Sequence, residues 1–118
     1  MGVDSHRDLL VWKKAIDLVV SCYRITAKFP KTEQYGLTSQ LQRAAVSVPA
    51  NIAEGKGRAS TGAYLNHLSI AAGSLAELDT HLVVGHELGL LSDTGLIEIQ
   101  KQLEEVGRML TGLRKSLE

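Results

Sequence analysis

The sequence predicts an all-α fold, an antiparallel up-and-down four-helix bundle with left-handed, coiled-coil-like packing. Through four segments, apolar residues recur at alternating intervals of three and four, the spacing of a helix that buries one face. The segments are joined by short connections, which make consecutive helices antiparallel neighbours. Only two prolines interrupt the 118 residues, and aromatic residues make up 4%. The helices can therefore be long, and the core must be aliphatic.

The four segments and their short connections predict one domain over residues 1–118. The expected helices span about 8–29, 38–55, 60–88 and 92–117. Thr38 or Ser39 is expected to cap the second helix, Ser60 the third and Ser92 the fourth. Gly89 is the expected left-handed residue after the third helix.

The first helix carries two apolar lines of residues, whereas a bundle helix needs one. We assign the first line to the bundle core: Leu9, Trp12, Ile16, Val19 and Tyr23. The second line is the candidate subunit interface: Val11, Ala15, Leu18, Cys22 and Ile25. An apolar line left in water would form a patch that monomers avoid, so we expect self-association there. The alternative is that the bundle itself buries a wide arc of the first helix.

The second helix contains the densest local pattern, around Pro49, Asn51 and Glu54. Proline removes one backbone donor and crowds the preceding turn, so we expect a kink whose freed polar groups are satisfied by nearby side chains. Small residues in the second and third helices should allow these two helices to approach closely. The alternative interpretation is a basic edge beside the kink.

Net charge is zero, but its distribution is uneven. Residues 1–58 contain nine Lys/Arg and five Asp/Glu, whereas no Lys or Arg lies between residues 59 and 100. Complementary charges between helices or subunits explain this asymmetry most simply. The alternative is a nucleic-acid patch, for which the candidates are Lys13, Lys14, Arg43, Lys56 and Arg58.

No catalytic, cofactor or metal site is predicted. The histidines, at 6, 67, 81 and 86, never follow a Glu at the three-residue spacing of a di-iron bundle. Cys22 lies on an apolar line, where a small hydrophobic residue is expected. The apolar runs are too short to span a bilayer, and the N-terminus has no signal core. We therefore expect a cytoplasmic, non-enzymatic protein that has no membrane partner.

Five segments of the chain resemble the signature of the 23S ribosomal RNA intervening-sequence proteins, a four-helix bundle family sometimes labelled S23 ribosomal protein. They are residues 10–15 (LVWKKA), 29–30 (FP), 35–40 (YGLTSQ), 43–55 (RAAVSVPANIAEG) and 73–78 (GSLAEL). The resemblance implies a homopentameric ring without enzymatic activity. A similar bundle, the accessory variability determinant of diversity-generating retroelements, is a basic pentamer that binds nucleic acid. The expected partner is thus further copies of the chain, with RNA or another protein as the alternative.

Overall fold

Four helices form the molecule in a computed structural model that describes residues 5–118. They are α1 (Leu10–Thr26), α2 (Leu37–Lys56), α3 (Thr61–Glu87) and α4 (Asp93–Leu117), with short 3-10 turns at His6–Asp8 and Lys31–Glu33. Over the described residues all regular structure is helical, which confirms the predicted all-α fold. Residues 1–4 of the predicted domain lie outside the described part.

Side-chain hydrogen bonds between helices establish the antiparallel arrangement. Ser47 of α2 bonds to Ser74 of α3 at 2.8 Å, and further along α2 Asn51 meets His67 at 3.1 Å. The helix pairs in contact are α1 with α2, α2 with α3, α3 with α4, and α4 with α1. The helices therefore surround one core in chain order, as an up-and-down bundle requires.

The predicted ends of α3 and α4 are confirmed. Ser60 and Ser92 are the N-caps, and their hydroxyl oxygens accept backbone N–H groups three residues ahead at 3.1 and 3.0 Å. Gly89 has a φ of 77°, the left-handed conformation in which glycine carries no steric penalty. The short turn after it leads directly into α4.

The ends of α1 and α2 differ from the prediction. α1 stops at Thr26, several residues before the expected end. α2 begins at Leu37, so neither Thr38 nor Ser39 is its cap. Instead the carboxylate of Glu33 accepts the backbone N–H of Leu37 at 3.3 Å. A side chain from the preceding 3-10 turn thus performs the capping role that we had assigned to a residue in the helix itself.

The two apolar lines of α1 exchange the roles we predicted for them. Four of the five candidate interface residues (Val11, Ala15, Leu18 and Cys22) belong to the chain's own core. Ile25 is partly buried and packs against that core. Because these side chains are already covered within one chain, they cannot form a subunit interface in the folded molecule. Burial by the bundle itself, the alternative, is correct for this line.

The other line, which we had assigned to the core, lies at the edge of the bundle. Leu9, Trp12 and Val19 are partly buried against the core, and Tyr23 is exposed. Side-chain bonds from α1 explain the orientation: Thr26 bonds to Gln42 of α2, and Ser21 bonds to Gln102 of α4. Of the apolar lines on α1, only the one that lies between the side turned to α2 and the side turned to α4 faces the core.

α2 and α3 make the most extensive contact in the bundle, as we predicted from the small residues in these two helices. A Cβ added to Gly55 would lie 2.8 Å from the Cβ of His67 and 3.2 Å from the carbonyl oxygen of Tyr64. Those distances leave no room for a side chain at this position. Gly55 therefore sets how closely the two helices approach.

The burial of α1 gives the first prediction. Leu18 is 0% exposed and Leu10 is 58% exposed, although both are leucines of the same helix. Leu18→Ala should lower the free energy of unfolding by about 2–5 kcal/mol. Leu10→Ala, the matched control, should change it by less than about 1 kcal/mol. Urea denaturation followed by circular dichroism measures both, and equal losses would refute the assigned orientation of α1.

The close approach of α2 to α3 gives the second prediction. Gly55→Ala should lower the free energy of unfolding by about 1–3 kcal/mol, because the new methyl group meets backbone as well as side chain. Gly112→Ala, in α4 and outside both apolar surfaces of the bundle, meets nothing within 4 Å. It should stabilise the protein by up to about 1 kcal/mol through helix propensity. Thermal denaturation of the two variants should thus shift in opposite directions; a stabilised Gly55→Ala would contradict the close contact.

Candidate functional site

An apolar surface lies along the groove between α1 and α2, and we call it the α1–α2 face. Its members are Trp12, Ile16, Val19, Tyr23, Val46 and Ala50. Tyr23 is 45% exposed and Val46 is 43% exposed, and both line the same shallow depression, together with Arg43. The α1 members are the line that we had expected in the core. Helix 1 therefore does carry surplus apolar surface, but on a different side from the one predicted.

A second apolar surface lies on the outer side of α3, and we call it the α3 face. Its members are Ile70, Gly73, Ala76, Glu77, Val84, Glu87 and Leu88, and the exposed polar residue Thr80 lies among them. Ile70 is 44% exposed and Leu88 is 60% exposed. Ile70, Glu77 and Val84 follow one another at seven-residue intervals, so they form one line along the helix. A helix that is apolar on several sides is normally covered on several sides.

Sequence reasoning missed the α3 face, although a signal was present. α3 contains no Lys or Arg, and its apolar residues occur off the core line as well as on it. In the sequence, we had interpreted the absence of Lys and Arg only as part of the uneven charge distribution along the chain. Applied to the helix surface, the same absence indicates that the outer side of α3, with Glu77 and Glu87, carries less charge than that of a typical helix that faces water.

The five candidate nucleic-acid residues do not form one free patch. Lys14 pairs with Glu105 at 3.4 Å, and Arg58 pairs with Glu54 at 2.8 Å. Lys13 is exposed and lies at the same end of the bundle, as does the half-buried Lys56. Arg43 lies nearer the opposite end, in the N-terminal half of α2.

The positive charges nevertheless gather at one end of the molecule. Of the thirteen Lys/Arg residues, eight lie in the half where α1 and α3 begin and where α2 and α4 end. They are Arg7, Lys13, Lys14, Lys56, Arg58, Arg108, Arg114 and Lys115. The bundle is therefore electrically asymmetric along its long axis.

A hydrogen-bonded network crosses the α2–α3 contact beside Pro49. The Asn51 amide donates to the Ser47 carbonyl oxygen at 2.9 Å, so its own oxygen faces His67 Nδ1 at 3.1 Å, and that nitrogen carries the proton. Glu54 pairs with Arg58 rather than with Arg43 or Lys56. α2 runs through Pro49 without a break. The network satisfies its own polar groups and fixes the register of α2 against α3.

The thiol of the one cysteine is held in an unreactive environment. Burial raises the pKa of the Cys22 thiol to about 12, so the sulfur stays protonated at neutral pH. His86 is hydrogen-bonded to Asp93 at the start of α4. Within residues 5–118, no three His, Cys, Asp or Glu side chains come together as a metal ion would need. No helix in the same range has the length and apolar content to cross a membrane.

Comparison with solved structures places the fold beside a known one. The chain is similar to a protein of unknown function from the S23 ribosomal protein family of Bacteroides thetaiotaomicron, with a TM-score of 0.83. The two share 20% sequence identity, and the match covers 90% of this chain and 96% of the other. At that identity the likeness shows the fold alone. Comparison with curated protein sequences gives no significant match.

The family is shown by the sequence itself. The model of the 23S rRNA-intervening sequence protein family matches residues 7–112, which include all five segments that carried the resemblance. With its four antiparallel helices and a family match over most of its length, this chain belongs to the 23S rRNA-intervening sequence protein family.

Proposed function

We propose that the chain is a non-enzymatic cytosolic protein that acts as a homo-oligomer, a homopentameric ring. The observation that carries the proposal is the presence of two exposed apolar surfaces on one small bundle, the α1–α2 face and the α3 face. Exposed apolar side chains that lie together on a surface mark an interaction site. The number five comes from the resemblance to the family. The apolar faces support association but do not set its number.

Assembly suits the arrangement of the side chains better than catalysis does. The one thiol is buried and protonated, and the half-buried polar residues Ser47, Asn51, His67 and Ser74 of α2 and α3 bond to one another. What the bundle presents to its surroundings is apolar helix surface flanked by charge. Such a surface binds another protein surface, and closed symmetric homo-oligomers are the commonest result.

The mass of the protein in solution tests the proposal. Size-exclusion chromatography with light scattering, at micromolar concentration, should give about five times the 12.8 kDa of one chain. Native mass spectrometry of the same sample should give one dominant species of that size. A stable monomer in both measurements would contradict the proposed function, whereas a different closed number would correct the ring size only.

A second candidate function, binding of RNA by the oligomer, is favoured by the basic end of the bundle. That end holds eight of the thirteen Lys/Arg, of which Lys14 and Arg58 are paired with Glu105 and Glu54, even though the whole chain is neutral. Copies that share one orientation around a ring would bring several such ends to the same side. Many weak contacts to phosphate would then add up through multivalency.

Charge-neutralising variants test the RNA candidate. Structured RNA should bind at about 50 mM salt and weaken steeply as salt rises. The double variant Lys13→Gln/Lys56→Gln should reduce the affinity. It should also reduce the slope of log K against log salt concentration by about one for each lysine lost per contacting copy. Lys31→Gln, at the opposite end, is the matched control. Fluorescence anisotropy measures all three, and no binding by the unmodified protein would exclude this candidate.

A further inference from the structure

We propose that the basic end of the bundle binds unpaired nucleotides of RNA, with a base stacked on the ring pair of His6 and Trp12 and the phosphates held by the cations around it. This inference rests on the second candidate function and names its ligand chemistry and its residues. The occupant is single-stranded RNA, whose bases are free to stack on protein side chains.

Two aromatic rings meet at the basic end, where α1 begins. The rings of His6 and Trp12 lie edge to face, with centroids 5.1 Å apart and planes inclined by 66°. Since one ring contributes only its edge to such a pair, its faces are not covered by the other ring. Both side chains are half-buried, so part of each reaches the surface. Partly exposed rings of this kind are a stacking surface for bases.

Three cations lie around the ring pair. Arg7 follows His6 in the 3-10 turn, Lys13 follows Trp12 in α1, and both are exposed. Lys56 is half-buried in the last turn of α2. None of the three forms an ion pair with another residue in the range 5–118. All three charges are therefore available to phosphate groups.

The register of α1 against α2 brings Lys56 to the level of the rings. The two helices are antiparallel, and the Gln42 amide donates to the Thr26 hydroxyl at 3.0 Å. Fourteen residues back from Thr26 lies Trp12, and fourteen residues on from Gln42 lies Lys56. The 3-10 turn that holds His6 contacts both helices. The rings and the cations thus belong to one patch.

Nearby acids do not cancel the positive charge of this patch. Asp8, in the 3-10 turn, is one acid against three cations. Glu54 of α2 is already paired with Arg58 at 2.8 Å. Asp17 lies on the side of α1 that faces α4, where it lines a groove with Glu105. The surroundings of the rings are therefore positive overall, as binding to phosphate needs.

The patch lies at the margin of the α1–α2 face and leaves most of that face free. Trp12 and Tyr23 are eleven residues apart in α1, which is about 16 Å along the helix axis. The exposed side chains of Tyr23 and Val46 lie together in the half away from the basic end. RNA bound at the rings therefore leaves these two side chains free for association between copies.

The fluorescence of Trp12 tests the stacking directly, because Trp12 is the only tryptophan of the chain. Titration of the unmodified protein with single-stranded oligouridine at about 50 mM salt should quench this fluorescence to a plateau. An RNA duplex of the same length should quench it less. Inorganic polyphosphate has the charge of the RNA without its bases, and it should leave the fluorescence nearly unchanged.

Substitution of the ring separates stacking from charge. Trp12→Leu keeps an apolar side chain and should weaken oligouridine binding by about 5- to 100-fold, with an unchanged salt slope, in anisotropy of the labelled RNA. Tyr23→Leu removes an exposed aromatic ring of the same helix outside the patch, so this matched control should bind as the unmodified protein does. His6→Ala should give a smaller loss, and it provides the test if Trp12→Leu loses the helical circular dichroism spectrum.

The outcomes separate this inference from the candidate function on which it rests. If no RNA binds, the RNA candidate and this inference both fail. If RNA binds but the Trp12 fluorescence is unchanged, or the duplex quenches it as strongly, or the ring variants bind as tightly as the unmodified protein, only the stacking site is overturned. Quenching by oligouridine, with affinity lost in Trp12→Leu and kept in Tyr23→Leu, supports it.

Discussion

The close contact between α2 and α3 is the constraint on which the rest of the structure depends. Gly55 allows it, because any side chain there would meet His67 and the backbone of Tyr64. The bonds from Ser47 to Ser74 and from Asn51 to His67 then fix the register of the two helices. α1 and α4 pack across the remaining sides of this pair and close the core.

That closure also decides which surfaces remain open. α1 turns Leu18 and Cys22 inward, and the adjacent line that contains Tyr23 is left at the groove with α2. α3 buries one line of leucines and leaves Ile70, Val84 and Leu88 outside. The exposed apolar surface is thus a consequence of how each helix is oriented in the bundle, which for α1 is set by its bonds to Gln42 of α2 and Gln102 of α4.

Most of the fold follows from local rules that are readable in the sequence. Three- and four-residue apolar spacing identified the helices, Ser60 and Ser92 marked two of the starts, and Gly89 marked a turn. The orientation of α1 could not be read in the same way. Its two lines are offset by one residue and are equally apolar, and the choice between them is made by contacts with α2 and α4.

The candidate subunit interface was predicted in the wrong place. Val11 and Leu18 are buried in the core, and the exposed apolar side chains of α1 are instead Leu10, Val20 and Tyr23. The basic patch was broken up by partners distant in the chain: Glu105 pairs with Lys14 across the bundle. Such pairings depend on tertiary structure, and spacing along one helix does not contain them.

Small-angle X-ray scattering at micromolar concentration tests the central claim, that the exposed faces of one bundle are covered by other copies. A single chain has a Cα radius of gyration of 14.8 Å. A homopentameric ring predicts a much larger radius and a scattering minimum from its central opening. A radius close to that of one chain would contradict the account, because both apolar faces would then remain in water.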